Sequence, residues 1–222
     1  MPKVSEEYIQ KKKNMIVQAA YTLCLRKTVS TVTMQDIINE TGLSQGGIYR
    51  FYKDIDAIFS DMFLFLREKE SIKAQVDEIL SHADDVPMKE ITNRIFDMLA
   101  DFMERELMGI AKVDFEINVL AMNEPERVDQ ILKNIPNVGN MEYLTMRMMQ
   151  YMTDKMKAGK MHPRVSIEEL FSFISSSFSG IQMTCIVNNC YKQEENPFSH
   201  LFQPKIQLQT LARTVNYLIG EE

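Results

Sequence analysis

The chain has 222 residues, 45% of them hydrophobic, with only eight glycines and seven prolines, too few turn formers for an all-β protein and a size that suits a small domain fused to a larger one. The formal charge of -6 speaks against nucleic acid until its distribution is read. Residues 1–53 carry eight basic and four acidic side chains, a net of +4, which leaves -10 for the remainder; unless the asymmetry is chance, a basic head on an acidic body touches a polyanion in one orientation. Three cysteines, an odd count without close pairing, fit a reducing compartment. No charged leader precedes an apolar segment and no run of eighteen apolar residues occurs, so a soluble, cytoplasmic protein without a membrane partner is expected.

In chain order, residues 5–27 read as one helix, with Ile16, Ala19, Ala20 and Leu23 spaced as a buried stripe. Lys11, Lys12 and Lys13 precede the stripe, as a solvated face or as phosphate contacts. Thr33 to Lys53, TMQDIINETGLSQGGIYRFYK, is the most informative stretch. Thr33 is placed to N-cap a first helix with Asp36 as its reciprocal partner, and Val32 and Ile37 stand at staple positions. Gly42 can take the left-handed conformation that ends that helix. Ser44 then caps a second helix, with Leu43 and Ile48 as a second staple. Two short helices joined through a glycine turn are the pattern of a helix-turn-helix, whose second helix lies in the DNA major groove.

From Asp54 a helix is expected to run to about Ser81, roughly 40 Å at about 1.5 Å per residue, with Ile58, Phe59, Met62, Phe63 and Leu66 along one side. A loop at residues 82–87 precedes helices over 88–107, 110–122, 126–133 (before Pro136) and 141–157. Residues 166–191 form the most apolar of these, with Leu170, Phe171, Ile174, Phe178, Ile181 and Cys185 in register and a second row of Ser172, Ser176 and Ser179. After a loop at 192–197 a last helix, 204–219, repeats the pattern through Leu208, Leu211, Ala212, Val215 and Leu218. Two amphipathic helices of this kind suit a symmetric dimer closed as a four-helix bundle, with Leu170, Ile174, Ser176, Phe178, Ile181, Leu208, Leu211 and Val215 at the interface. The alternative is that both are intramolecular core.

The run IVQAAYTL followed by TMQDIINETGLSQGGIYRFY resembles the N-terminal domain of the TetR/AcrR family of transcriptional regulators. The likeness lies in the alanine pair, the capping Thr, the Asp-Ile pair, the Gly-hydrophobic-Ser turn and the Tyr of the second helix, over Ile16 to Phe59. It implies an all-α protein of about nine or ten helices: a three-helix helix-turn-helix DNA-binding domain over 1–53, then a larger helical ligand-binding and dimerisation domain over 54–222. It further implies a homodimer on a pseudo-palindromic operator, usually a repressor, released by a small effector. The family's DNA-contacting positions fall on Thr33, Gln35, Gln45, Gly46, Gly47, Tyr49 and Arg50. Physical reasoning supports Gln45 for an adenine edge, Arg50 for phosphate or guanine, and the amides of Ser44 to Gly47 for phosphate; Tyr49 could equally be core. The chain departs from the family at Thr28, at Phe51-Tyr52 and at Ile55. The last two remove expected phosphate contacts, for which Tyr52 and Lys53 are the substitutes to hand.

No enzyme motif is present, neither G-x-S-x-G, nor a phosphate-cradling glycine loop, nor H-E-x-x-H, nor zinc-spaced cysteines, so neither catalysis nor a cofactor or metal is expected. A hydrophobic effector pocket lined by Met98, Phe102, Met122, Met148, Met152 and Met183 is expected, against plain core packing for any one of them. Asp114 and Glu116, in an otherwise apolar helix, could face such a pocket and meet a cationic ligand, or be surface carboxylates. The reading from a different class is a helical protein-interaction module with weak DNA affinity.

Overall fold

The computed structural model describes residues 5–69, 71–83, 86–135, 139–191, 197 and 199–221. Of the loops read from the sequence, Asp84 and Asp85 of the first and residues 192–196 of the second lie outside the described residues, as does Pro136. Among the described residues the chain is all-helical, as expected. It divides into two compact units, Met1–Glu70 with Lys112–Asn137, and Ser71–Ala111 with Val138–Glu222.

In the first unit, α1 (Glu6–Arg26) is capped by Ser5, whose side chain accepts from the Tyr8 amide. Its buried stripe is Ile16, Val17, Ala19, Ala20, Leu23 and Cys24, the apolar register read from the sequence. It packs on α2 (Met34–Thr41) and on α4 (Ile55–Lys69). Between α2 and α4 lies the short α3 (Gln45–Tyr49). Phe59, Ile58, Met62 and Leu66 of α4 close the core and are almost wholly buried. The unit is completed by α8 (Pro125–Leu132) and by α7 (Ile110–Asn123) from Lys112 onward.

The single helix expected over residues 54–81 is instead two, α4 ending at Lys69 and α5 (Lys73–Ser81) starting afresh in the second unit. Arg67 and Lys69 sit in the last turn of α4, where cations complement the helix dipole. Ile72 is buried and its amide donates to Asn140 Oδ1 at 3.3 Å. A tertiary partner thus takes an amide that a continuous helix would have bonded internally, and no glycine or proline announces it.

The second unit is built on α6 (Met88–Glu106), which packs along α11 (Pro204–Leu218), with α10 (Ile167–Ile186) against α11 and α5 against both α6 and α9 (Asn140–Lys157). Ser166 and Glu169 form a capping box that starts α10, which ends in a π-helical turn, Val187–Tyr191. By length and composition α10 with this turn is apolar enough to cross a membrane, at a mean hydropathy of 1.4, yet little of it is buried within the unit.

Candidate DNA-binding face and ligand cavity

The helix-turn-helix is set by local chemistry. Thr33 Oγ1 accepts from the Asp36 amide at 3.2 Å, and Asp36 Oδ2 accepts from the Thr33 amide at 2.9 Å, so two orphan donors at the start of α2 are satisfied reciprocally. Lys27 Nζ donates to the other carboxylate oxygen at 2.6 Å. Lys27 first, then the Thr33 amide and hydroxyl, hold the Asp36 carboxyl below its usual range. Gly42 adopts φ +65° and ends α2, and Ser44 Oγ accepts from the Gly47 amide at 3.2 Å to cap α3. A Cβ at Gly47 would stand 3.2 Å from that capping oxygen, so a larger residue there presses on the cap.

These constraints turn one side of α3 inward on Ile48, which is fully buried, and the other outward. Thr33, Gln35, Ser44, Gln45, Gly46, Tyr49, Arg50 and Lys53 are exposed and Gly47 is half-buried. Tyr49, ambiguous in the sequence, is 46% exposed and belongs to the outer surface. Tyr52 does not. It is 3% exposed, its hydroxyl donates to Asp61 Oδ2 at 2.8 Å, and Lys13 bonds the same oxygen at 3.1 Å while lying 5.1 Å above the Tyr52 ring. Burial first, then Asp61, push the phenol's pKa upward. The Tyr52 amide still bonds the Ile48 carbonyl, so the side chain falls on the inner face with Ile48 one turn earlier. It is therefore no substitute for a lost phosphate contact. Lys53, next along, is exposed, with the surface Asp54 carboxylate at 3.5 Å.

The carboxylates considered for a pocket lie elsewhere, in the first unit. Glu116 is buried beside Lys112 at 2.8 Å and accepts from the Val29 amide, while Lys112 Nζ donates to the Cys24 carbonyl at 2.7 Å. One buried ion pair thus binds α7 to the end of α1 and to the 3₁₀ turn Val29–Thr31 just ahead of α2. Asp114, two residues from Glu116, keeps exposed surface, yet burial pushes its carboxyl up to about 6 against the opposing charge of Arg67.

In the second unit an open-mouthed cavity lies among α6, α9, α10 and α11. Thr92, Ile95, Phe96 and Leu99 of α6 form one wall, at the spacing of a single helix face, and Leu144, Met148, Met152, Phe171, Ile174, Phe178 and Val215 supply most of the rest. Of the residues expected to line a pocket, Met148 and Met152 do so. Met98 lines an open polar groove with Arg94, Asp97 and Asp101, Phe102 lies under the Arg105 guanidinium at 5.6 Å, and Met122 and Met183 are exposed. Helix phase separates Met98, one position off the Thr92–Leu99 stripe and so about 100° away; Phe102, seven residues past Ile95, shares the stripe's phase but lies beyond the cavity, and Met122 belongs to the first unit. Apolar identity alone could not show it; the 92/95/96/99 spacing is the signal that could for Met98, and how far along α6 the cavity extends decides Phe102.

The expected interface residues also divide. Leu170, Leu208, Leu211 and Val215 are buried within the unit itself, where α11 packs on α6 and α10 on α11. Ser176 is exposed, and Ile174, Phe178 and Ile181 are half-buried. The outer face of α10 is instead made by Ser172, Phe173, Ser176, Gly180 and Met183, and that of α11 by Ile206, Thr210 and Tyr217. Among the described residues no cluster of three or more His, Cys, Asp or Glu could hold a metal.

Solved structures give the fold a context. The Haloarcula marismortui ATCC 43049 TetR transcription regulator superposes with a TM-score of 0.58 at 16% identity, over 95% of this chain and 97% of that one. Thermus thermophilus FadR, a TetR-family transcriptional repressor in complex with lauroyl-CoA, gives 0.53 at 15% identity over 91% and 92%. This chain has the TetR-family fold. GusR of Salmonella enterica matches that same fold with a TM-score of 0.59 at 13% identity, over 97% and 98% of the two chains. Over 130 residues the sequence is 28% identical to the HTH-type transcriptional regulator YfiR of Bacillus subtilis (strain 168), a match that spans 57% of this chain and 59% of that protein. No family model matches. The TetR resemblance drawn from Ile16 to Phe59 is borne out in the fold, and the similar proteins named as to role are regulators rather than enzymes.

Proposed function

We propose that the chain is a cytoplasmic, ligand-responsive transcriptional repressor that binds a pseudo-palindromic operator as a homodimer and is released when a small hydrophobic effector enters the second unit. The observation that carries this reading is the outward face of α3. Gln45, Tyr49 and Arg50 project from a helix whose two glycines leave its backbone open, on a head whose charge is opposite to that of the remainder. Gln45 suits an adenine edge and Arg50 a guanine or phosphate, while the amides of Ser44 to Gly46 suit a phosphate. The half-covered apolar face of α10, unusual for a surface helix, suits burial against the same helix of a second copy. FadR, similar in fold, is a repressor in complex with lauroyl-CoA, which supports an effector role for the apolar cavity here.

The test is a fluorescence-anisotropy titration of the full chain against the intergenic DNA upstream of its own gene, and against a consensus selected from random duplexes, at several salt concentrations. Specific binding with a steep salt dependence is the expected result. Absence of salt-sensitive specific binding to either DNA would overturn the repressor reading in favour of a helical interaction module, a reading that the loss of phosphate-binding side chains at Phe51 and Ile55 keeps in view.

A further inference from the structure

The cavity of the second unit has one buried polar residue in its lining. Thr92 is 1% exposed, lines the cavity, and among the described residues its Oγ1 meets no hydrogen-bond partner. Threonines inside helices ordinarily turn the hydroxyl back to the carbonyl one turn earlier. Thr22, Thr210 and Thr214 of this chain all do so, at 2.9 to 3.1 Å. Thr92 departs from that habit where its neighbours on the same helix face, Ile95, Phe96 and Leu99, are hydrocarbon. A buried hydroxyl without a partner costs roughly 1–3 kcal/mol, so a residue of this kind in the lining of an open-mouthed cavity suits a group that arrives with the ligand. The other polar lining side chains, Thr145 and Ser175, are exposed. No charged side chain lines the cavity among the described residues.

Resting on the effector reading above, we propose that Thr92 is the specificity-determining anchor for an uncharged, mostly hydrocarbon effector with a single hydroxyl or carbonyl at its buried end. An ion is excluded beside Thr92, because a lone threonine hydroxyl cannot offset the desolvation of a carboxylate or an ammonium. The hydrocarbon part takes its affinity from Ile95, Phe96, Leu99, Met148 and Phe178. Thr92 sets the orientation of the molecule and rejects analogues that cannot pair with it.

The experiment uses the full chain without DNA. Nile red, a neutral apolar dye, reports on cavity occupancy by its fluorescence, and 1-octanol, octanoate and octylammonium compete with it against wild type, Thr92→Val and Thr92→Ser. The expected pattern is displacement by 1-octanol alone, with affinity reduced roughly five- to ten-fold in Thr92→Val, which keeps the shape and loses the hydroxyl, and retained in Thr92→Ser. Circular-dichroism melting shows that both variants are folded. Equal 1-octanol affinity in Thr92→Val, or a charged probe displacing the dye as well as 1-octanol does, overturns the assignment and leaves the effector cavity standing. Dye binding that 1-octanol does not displace has the same meaning. Failure of Nile red to bind wild type overturns the effector cavity and this inference together, whatever the DNA titration shows.

Discussion

The buried pair on α7 has no counterpart in the sequence reading, where Glu116 was open to a pocket or a surface role. Inside the first unit its carboxylate satisfies the Lys112 ammonium and the Val29 amide. Glu116→Ala removes both partners and leaves a buried cation, so a loss of about 3–5 kcal/mol is expected in urea unfolding. Lys112→Met combined with Glu116→Gln keeps an acceptor for Val29 and is expected to cost less. A neighbour of this pair provides a pH test. Burial first, then the Glu116 carboxylate, with Lys112 opposing, push the Cys24 thiol from an ordinary 9.0 up to about 12. A raised folded pKa means that the folded state holds its proton more tightly. The contribution is therefore intact below pH 9 and is lost as the pH climbs toward 12. Unfolding measured between pH 8 and 10.5 is expected to show a shallower alkaline loss of stability in Cys24→Ala than in wild type; Tyr52, shifted upward too, retains part of the slope.

At the scale of the element, the motif helices were legible because each carries its own stops. Thr33, Asp36, Gly42 and Ser44 act within four residues of themselves, and so do the staple residues Val32, Ile37 and Ile48, all buried. What the pattern could not assign was the direction of a side chain at a helix end, and Tyr52 and Lys53 received the same role although one faces Asp61 and the other solvent. Substitution separates them. Lys53→Ala is expected to flatten the salt dependence of operator affinity by about one phosphate contact. Tyr52→Phe is expected to leave that slope unchanged while lowering stability by about 1 kcal/mol through the lost bond to Asp61. An altered slope in Tyr52→Phe would return the residue to the DNA surface.

For the whole molecule, α10 and α11 decide between a monomer with a bare apolar face and a closed dimer. Leu170, Leu208, Leu211 and Val215 serve the chain's own core, so the proposed second copy would meet α10 at Ser172, Phe173, Ser176, Gly180 and Met183. Small residues in that row allow close helix approach, and a long cation cannot be accommodated there. Ser176 is exposed, so Ser176→Arg is expected to leave the fold intact, to yield a monomer in sedimentation analysis and to weaken operator binding at least ten-fold. A variant that stays dimeric with unchanged DNA affinity would move the interface to another face. The segment from residue 54 to 81, expected as one long helix, is two; α7 is a continuous helix with Ile110 and Ala111 in the second unit and the rest in the first.

Local signals carried the all-α class, the capped helix-turn-helix, the basic head and most helix limits, because caps, staples and the 3.6-residue period act over one or two turns. Tertiary structure decided whatever depends on which side of a helix meets which neighbour. It put Tyr52 and Glu116 inside, broke the helix at Ile72 with an acceptor 68 residues away, kept Met98 and Phe102 out of the cavity, and exposed one row of α10 while burying another. Amphipathic spacing shows that a helix has an apolar face; packing geometry alone determines whether that face meets the chain's own core, a ligand or a second copy.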